Sequence, residues 1–305
     1  MATYNDGRFL RPAMESILHQ TYRPFRFLIV DDASTDDTQQ ILRATDDPRI
    51  EVLRLERNVG QTAALNIGLR HASTPWVARM DADDVSHPQR LEEQMGALEE
   101  DTSVSCVGTG IWEFREDPRR VEAVKFRPKD HAQIQRAALH GSGMIHGSIV
   151  VNRPALLDVG AYDERYRYAS DRDMFIRLFV RNRAMNIQKP LLGVRRHPGQ
   201  DSFSKRATDE YIEIFARLLS RGGYPLEETA ILRGSLAYSY LLRAGYFRSS
   251  REYANGWKDV LEAFRICPKT CVRGLVGAFT SGLFPERIWA SFRNRLFLQG
   301  NGSRG

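Results

Sequence analysis

The stretch Trp76-Val77-Ala78-Arg79-Met80-Asp81-Ala82-Asp83-Asp84 decides the fold. It begins as a short, mostly apolar run, which predicts a buried strand. It ends in acidic residues, and because aspartate favours turns over strands, we expect the strand to end at Met80. The acids then lie just beyond the carboxyl end of the strand, which is the edge of an open α/β sheet where ligands bind.

The spacing of these acids predicts a cation site. Asp81 and Asp83 stand two positions apart, and Asp84 follows directly. Like charges this close repel one another unless a cation lies between them. Carboxylate oxygens suit Mg²⁺ or Mn²⁺ better than Zn²⁺. The alternative is a solvated turn or a helix N-cap, because Ser86-His87-Pro88 followed by Leu91 is typical of a helix start.

Composition places the chain among globular proteins. It has 305 residues, 42% hydrophobic and 27% charged, with a formal net charge of +6. This charge permits an anionic substrate or a membrane surface and requires neither. We interpret Cys106, Cys267 and Cys271 as reduced packing thiols of a cytoplasmic protein. We expect no membrane-spanning segment and no signal peptide. Basic residues are scattered rather than interleaved with aromatics, so no nucleic acid partner is expected.

Strand and helix patterns alternate in the first part of the chain. Phe27-Leu28-Ile29-Val30 is a continuous apolar run typical of a buried strand, and residues 50–55 form a second such run. Helices are predicted at Thr38–Ala44 and at residues 62–70. This alternation predicts a parallel sheet built of βαβ units. Polar or acidic residues follow each strand, which is the layout of a nucleotide site.

Four motifs in this order resemble the family 2 glycosyltransferases of the GT-A fold. They are Ala2-Thr3-Tyr4-Asn5, Val30-Asp31-Asp32-Ala33-Ser34-Thr35-Asp36, Asn58-Val59-Gly60 and Asp81-Ala82-Asp83-Asp84. Each motif is weak alone, but the ordered set is a strong signal, and it covers roughly the first two-thirds of the chain. The resemblance implies an α/β, Rossmann-like nucleotide-diphospho-sugar transferase domain over residues 1–204, with a mostly parallel sheet flanked by helices. An α-helical region over residues 205–305 would follow it.

The resemblance also implies roles for individual residues. Asp83 would be the direct metal ligand, with Asp81 on the ribose, on metal-bound water or on the metal itself. A divalent ion, Mn or Mg, would bind the diphosphate and take up charge as it leaves. Asp32 would accept the uracil ring N–H, unless it only caps the following helix with Asp31. The other nucleotide-binding candidates are Thr3, Tyr4, Asn5, Asn58 and Gly60.

Asp171 is the candidate for the catalytic base. An inverting transfer needs one base to take the proton of the acceptor hydroxyl. Asp171 stands where the family's Glu-Asp motif supplies that base, although Ser170 replaces the Glu. Asp173 resembles the structural acid of the same helix. The alternative for Asp171 is a simple cap stabilised by the helix dipole.

Three basic residues are further candidates through the resemblance. His146 lies in a glycine-rich turn and is an acceptor-side candidate, although a lone histidine beside glycine more often only fills a loop. Arg196 and His197 lie in a segment that resembles the loop closing over the diphosphate. They could balance phosphate charge or add a metal ligand. A solvated basic turn is an equal alternative for this pair.

Two features depart from the family's pattern. Relatives carry an apolar strand before Thr-Tyr-Asn, whereas residues 1–7 read as turn chemistry, so we expect this strand to be missing. Either the true start lies upstream, or the sheet has lost a central member at a cost in stability. In addition, Leu65 stands where many relatives have an arginine, which puts a phosphate contact in doubt.

The pattern becomes helical after Ser204, with helices predicted at residues 211–219, 227–244, 250–265 and 275–298 and breaks at Gly222-Gly223, Gly245 and Pro268. The last stretch combines apolar residues with arginines. We favour packing on its own domain, and the alternative is an amphipathic helix on an anionic membrane surface. Residues 301–305 are predicted to be disordered. The expected location is cytoplasmic, with peripheral contact at the inner face of the membrane if that helix binds lipid.

Together these features predict an inverting, metal-dependent glycosyltransferase. It would move a sugar from a nucleotide-diphosphate donor, expected to be UDP-linked, to a hydroxyl of a glycan or lipid-linked acceptor, as in cell-surface polysaccharide biosynthesis. One alternative is a catalytically impaired sugar-nucleotide-binding relative. Another is a nucleotidylyltransferase, which would need a glycine-rich phosphate loop after the first strand. Asn5-Asp6-Gly7-Arg8 is a poor substitute for such a loop.

Overall fold

The computed structural model describes residues 1–141, 143–197 and 204–271. Contacts between residues divide it into one unit, Met1–Glu210, and a second that begins at Tyr211. The strands are β1 Ala2–Thr3, β2 Phe27–Asp31, β3 Ile50–Arg54, β4 Trp76–Ala78, β5 Val85–Ser86, β6 Val104–Phe114, β7 Ala123–Lys125, β8 Val150–Asn152 and β9 Arg183–Arg195. The helices are α1 Gly7–Leu18, α2 Thr38–Ala44, α3 Gln61–His71, α4 Arg90–Glu100, α5 His131–Ala138, α6 Arg153–Asp158, α7 Ser170–Arg181, α8 Lys205–Arg221, α9 Leu226–Ser249 and α10 Tyr253–Ile266.

A parallel three-stranded sheet opens the first unit, in the order β1-β2-β3. The interpretation of residues 1–7 as turn chemistry alone is wrong, because Ala2 and Thr3 pair with Val30 and Asp31. A strand of two residues therefore lies where we expected only turn chemistry. Its backbone is satisfied by β2, since the Val30 N–H donates to the Met1 carbonyl and the Asp32 N–H to the Thr3 carbonyl.

The second sheet has six strands, in the order β4-β8-β6-β9-β5, with β7 paired to β6. It is mixed, because β6 and β9 run parallel while the other pairs are antiparallel. The predicted parallel βαβ pattern thus holds for β1 to β3. Strand β4 ends at Ala78, two residues before the predicted end at Met80.

No strand pairing joins the two sheets within the part of the chain that the structure describes. Strand β1 is too short to extend along β4, and an apolar cavity of about 340 Å³ lies there, lined in part by Met1, Val30, Val77 and Val150. The main core lies beside it. Helix α1 turns Leu10, Ala13, Met14 and Ile17 inward, at the spacing of one helical face. The buried cluster they join also contains Phe27, Ile29, Leu42, Met80, Ala82, Ile111 and Leu192.

The second unit is helical over its described residues, as the sequence predicts. Helices α9 and α10 pack against each other around Ala237, Ala263 and Cys271. An ion pair joins Arg243 and Asp259 across them at 2.7 Å. Gly245 was predicted to break the helix and instead lies inside α9, where its carbonyl also accepts from the Ser249 hydroxyl at 3.2 Å.

The predictions for residues 275–298 and 301–305 lie outside the described residues. Within the described part, none of the helices combines the length and apolar character that a bilayer crossing requires.

Candidate active site

An open cavity of about 600 Å³ lies at the ends of β1, β2 and β4. The structure brings most of the predicted site residues to its wall. These are Thr3, Tyr4, Asp32, Asn58, Gly60, Asp81, Asp83, His146, Asp171, Arg196 and His197. Residues from the four motifs in the first part of the chain therefore line the same cavity as His146, Asp171, Arg196 and His197, which come later in the sequence.

Asn5 is the predicted nucleotide residue that does not line the cavity. Its N–H donates to the Ser34 hydroxyl at 3.0 Å, and its side-chain oxygen accepts from the Thr35 N–H at 2.8 Å. It has a φ of 57°, a left-handed conformation that asparagine tolerates. Asn5 thus ties the first loop to the loop after β2 and acts on the cavity only through that loop.

Asp6 organises the end of the cavity at Thr3 and Tyr4, and sequence reasoning missed it. Its carboxylate accepts from the Thr3 hydroxyl at 2.9 Å and from the Tyr4 N–H at 3.1 Å. Burial raises the pKa of Asp6 to about 6, and the nearby charges of Asp83 and Asp81 act in the same direction. In the sequence, Asp6 is one aspartate in a loop of turn-forming residues, and this pattern gave no indication of a special role.

Asp32 shapes the neighbouring turn from a buried position. Its carboxylate oxygens accept from the N–H groups of Val59 at 2.7 Å and Gly60 at 2.8 Å. Each oxygen keeps a further lone pair for a ligand. Gly60 has a φ of +89°, which a residue with a Cβ rarely adopts. Asp31 instead accepts from the Ser34 N–H and does not line the cavity, so it shapes the turn after β2.

The three acids after Met80 form a cluster, with one oxygen of each within 4.8 Å of the others. Asp84 is buried, whereas Asp81 and Asp83 are partly open to the cavity. Burial raises the pKa of Asp81 and of Asp84, and the charge of Asp83 raises both further. The cluster is electrostatically unfavourable without a cation, which is the condition that favours metal binding.

Arg79 is the second functional candidate that the sequence interpretation missed. Both of its terminal nitrogens bind the two carboxylate oxygens of Asp81, and only 8% of its side chain is exposed. Gln61 adds a hydrogen bond to Asp81 at 3.2 Å. The signal was an arginine inside the run that the sequence predicts as a buried strand, a position where burial requires a partner.

Gly147 allows the close approach of groups around Arg79. A Cβ at this position would lie 3.3 Å from Arg79 Nη1 and 3.2 Å from Asp84 Oδ2. Its carbonyl also accepts from Arg90 at 3.0 Å, and Arg90 donates again to the Arg79 carbonyl at 3.3 Å. A second buried arginine therefore anchors the backbone on which Arg79 stands.

The end of β9 supplies a histidine to the acid cluster. His197 Nε2 lies 2.9 Å from Asp83 Oδ2. Two adjacent ligands on an octahedral ion with bonds of about 2.1 Å lie about 3 Å apart, so this pair fits a shared metal. Arg195 fixes the connection, because its Nε donates to the Asp83 carbonyl at 2.9 Å and its N–H donates to Asp84 Oδ1 at 3.0 Å. The donor set of carboxylates with one imidazole suits Mn²⁺ or Mg²⁺.

Asp171 lies in the first turn of α7 and lines the same cavity as Asp81 and Asp83. It is close enough to Asp81 that its charge raises the pKa of Asp81. Its carboxylate accepts from the Arg172 N–H at 2.7 Å. Asp173, by contrast, is buried and accepts from Arg177 one turn later at 2.8 Å, and Arg177 also donates to the Ala161 carbonyl in the preceding loop at 2.7 Å, so Asp173 has a structural role.

His146 and Arg196 are both engaged with neighbours. His146 Nε2 lies 2.8 Å from the Tyr162 hydroxyl, and its ring meets Phe175 edge-on at 5.9 Å between centroids. Burial, with the nearby charge of Arg79, holds the pKa of His146 well below its usual range, so the ring is neutral. Arg196 binds the carboxylate of Glu113. Leu65 lines the apolar cavity between the sheets instead of the candidate site.

The chain has an α/β fold with an acid cluster in the wall of one open cavity, and comparisons with known proteins show the family to which it belongs. The sequence profile of glycosyl transferase family 2 matches residues 1–160. EpsE of Bacillus subtilis (strain 168), which is named as a glycosyltransferase, is 33% identical over 213 residues, covering 68% of this chain and 74% of EpsE. The amylovoran biosynthesis glycosyltransferase AmsE of Erwinia amylovora is 27% identical, covering 75% of this chain and 85% of AmsE.

Two solved structures share the fold. TarS 1–349 of S. aureus, in complex with UDP-GlcNAc, superposes with a TM-score of 0.66 at 17% identity and covers 88% of this chain and 81% of that one. The mannosyltransferase PcManGT of Pyrobaculum calidifontis, in complex with GDP-Man and Mn²⁺, superposes with a TM-score of 0.61 at 19% identity and covers 97% and 83%. The GT-A fold predicted from the sequence is thus confirmed.

The chain belongs to glycosyl transferase family 2 and is a glycosyltransferase. This confirms the enzyme class that the four motifs predict. It also removes the alternative of a nucleotidylyltransferase, which the first loop already made a poor fit.

Proposed function

We propose that the enzyme is an inverting, metal-dependent glycosyltransferase. It transfers a sugar from a UDP-linked donor to a hydroxyl of a glycan or lipid-linked acceptor, in the biosynthesis of a cell-surface polysaccharide. The observation that carries this proposal is the shared cavity of about 600 Å³, which has the acid cluster of Asp81 and Asp83 and the carboxylate of Asp171 in its wall.

The nucleotide end of the donor would lie between β1 and the turn at residues 58–60. There Asp32 keeps free lone pairs beside the backbone that it holds, and these suit the ring N–H of uracil. Thr3, Tyr4, Asn58 and Gly60 would enclose the base and ribose. Because guanine also has a ring N–H, the proposal of UDP rests on the resemblance to the family; TarS was solved with a UDP-sugar and PcManGT with a GDP-sugar.

Asp83 and His197 would hold a divalent ion, with Asp81 nearby on ribose or on metal-bound water. When bound, the ion would supply positive charge to the diphosphate and so stabilise it as a leaving group. Arg79 already neutralises Asp81, which leaves Asp83 and buried Asp84 as the carboxylates without an arginine partner in the described cluster. This arrangement supports Asp83 as the direct ligand.

Asp171 would act as the general base. Its carboxylate would accept the proton of the acceptor hydroxyl while that oxygen forms a bond to the anomeric carbon. The bond from that carbon to the diphosphate oxygen would break from the opposite side, so the configuration inverts. General base catalysis of this kind contributes about 10²- to 10⁴-fold to the rate. His146, neutral and oriented by Tyr162, would contact the acceptor.

A catalytically impaired relative is the competing proposal, because Ser170 stands in place of the glutamate of the family's motif. Ser170 is buried and hydrogen-bonded to Thr62 at 3.2 Å, so it contributes packing in this chain. A measured rate of sugar transfer or donor hydrolysis separates the two proposals. For the location, we propose the cytoplasm, with peripheral contact at the inner face of the membrane.

A thermal-shift panel tests the donor and the metal together. The protein is heated with UDP-, GDP- and dTDP-sugars, each with and without Mn²⁺. We expect stabilisation by a UDP-sugar only when the metal is present, since binding to the folded state alone raises its stability. Equal stabilisation without metal would contradict the metal-dependent proposal, and a response to GDP-sugars alone would contradict the assignment of the base.

A further inference from the structure

Strand β7 and the segment that directly follows it present two cations to the cavity of the candidate site. Lys125 and Arg127 line it, whereas the alternate residues Val124 and Phe126 do not, and each of those two is 48% exposed. Successive residues of a strand point to opposite faces. The Phe126 ring covers Gly110 from the other face, where a Cβ at Gly110 would lie 2.6 Å from it. The cavity side of residues 125–127 is therefore basic.

The pairing of the strands gives the distance from these cations to the acids. Ser86 lies opposite Leu192, Leu192 opposite Ile111, and Ile111 opposite Lys125. Asp84 precedes β5 directly, so three steps between strands separate the acid cluster from β7. At about 4.8 Å for each step, this is about 14 Å along the sheet. This distance is measured between strand backbones, and it places β7 on a different part of the cavity wall from the acids.

The positive charge at this edge is not balanced by the protein. Glu113 lies 2.7 Å from Lys125 Nζ and also binds Arg196, so one carboxylate serves two cations. Among the described residues, no carboxylate lies within ion-pair distance of Arg127. Its Nε is buried and has no hydrogen-bond partner there. A half-buried cation without an ion-pair partner is costly, and an anion bound at the terminal nitrogens of Arg127 would reduce that cost.

The backbone that carries Arg127 is anchored, so the base of its side chain is positioned before any ligand binds. Gln188 donates to the Arg127 carbonyl at 3.1 Å, and Asn186 donates from its side chain to the Pro128 carbonyl at 2.7 Å. The Asn186 N–H donates to the Lys129 carbonyl at 3.0 Å. Preorganisation of this kind lowers the cost of ordering a long side chain on binding.

We propose that the acceptor carries an anionic group, a phosphate or a carboxylate, which binds to Lys125 and Arg127. This inference rests on the proposed function, because the acid end of the cavity is assigned to the donor there. The hydroxyl of the acceptor would then lie at Asp171, and its anionic group would bind Lys125 and Arg127. A neutral glycan would leave these two cations without a bound anion, so the enzyme would bind it less tightly.

The test measures anion binding while the donor site is filled. Protein saturated with UDP and Mg²⁺ is titrated with glycerol 3-phosphate, glucuronate, glycerol or glucose, and binding is followed by saturation-transfer NMR. We expect at least one anion to bind about tenfold more tightly than its neutral counterpart, the factor that one charge-assisted hydrogen bond provides. Preference for glycerol 3-phosphate would identify a phosphate-bearing acceptor, and preference for glucuronate a uronate-bearing one.

The Lys125→Gln/Arg127→Gln double variant should lose this preference, whereas Arg127→Lys should keep most of it. Arg120→Gln is the matched control, because Arg120 lies in the same hairpin, is exposed and does not line the cavity. UDP affinity should be unchanged in all variants. Equal anion binding by the wild type and the double variant would overturn the inference, as would anions that bind no better than the neutral compounds. Failure of UDP to bind the wild type would instead overturn the proposed function.

Discussion

Arg79 and Asp81 form a bidentate ion pair in the wall of the candidate active site, and the arginine is almost wholly buried. The pair divides the acid cluster into one carboxylate that an arginine neutralises and two, Asp83 and Asp84, without an arginine side chain as ion-pair partner among the described residues. Under the proposed function, Asp81 would accept hydrogen bonds from a ligand and Asp83 would bind the cation.

Arg79→Met should destabilise the protein, because it leaves the buried acids without their counter-charge. Removing one partner of a buried pair costs about 3 to 5 kcal/mol, and we expect about 3 kcal/mol in the free energy of unfolding since Asp81 is partly exposed. Urea denaturation without divalent metal measures it. The double variant Arg79→Met/Asp81→Asn should recover much of the loss. Equal stability of the single and double variants would contradict the pairing.

Asp83→Ala should abolish the metal-dependent part of donor binding, because it removes the proposed direct ligand. His197→Ala should weaken the apparent Mn²⁺ affinity by about tenfold or more, the effect of losing one supporting group at a metal site. Calorimetry with UDP at several Mn²⁺ concentrations gives both values. Asp46→Ala is the matched control, since Asp46 is exposed and lies outside the cavity wall. Unchanged donor affinity of Asp83→Ala in Mn²⁺ would refute the assignment.

Asp6 should make stability depend on pH. The carboxyl has a pKa of about 6 in the folded chain, above its ordinary value of 3.8, so the folded state binds more protons between these values. The free energy of unfolding that Asp6 contributes is present below pH 4 and is lost as the pH rises through 6. The free energy of unfolding of Asp6→Asn, taken relative to that of the wild type, should therefore increase by about 2 kcal/mol from pH 4 to pH 7. Urea denaturation without metal measures it. A difference that stays constant with pH would contradict this.

Gly60→Ala should cost about 1 to 2 kcal/mol in the free energy of unfolding and weaken UDP binding, because φ at Gly60 is +89° and its N–H binds Asp32. Gly96→Ala is a matched control. Gly96 lies inside α4 with open space around its Cβ position, so alanine there should stabilise the protein by about 0.5 to 1 kcal/mol. Thermal denaturation with and without UDP compares the two. Equal effects of both substitutions would show that the turn has no special role.

The parts of this molecule that could be predicted are those that local pattern determines. The apolar run at Phe27, the acids after Met80 and the helix periods identify the elements and the edge where the cavity lies. The long parallel pairing of β6 with β9 joins residues about 80 positions apart, from Val104↔Arg183 to Phe114↔Arg195, and no local pattern predicts it.

The missed residues were those whose local pattern suggests something simpler. Asp6 resembled any turn aspartate, and its role arises from burial beside acids that are distant in sequence. Arg79 stood in a strand that was interpreted as buried, so a partner should have been expected. At Gly245, the low helix propensity of glycine was outweighed by packing within the second unit, since tertiary contacts commonly override the propensity of a single residue.

The central claim is that a donor gripped at Asp83 lies within reach of Asp171, and one measurement tests it most directly. UDP affinity in Mn²⁺ and the rate of donor hydrolysis are measured for Asp171→Asn, with exposed Asp158→Asn as the control. We predict that Asp171→Asn binds UDP within about twofold of wild type and that its rate falls by about 10²- to 10⁴-fold. A variant that binds UDP normally and turns over at nearly the wild-type rate would contradict the account.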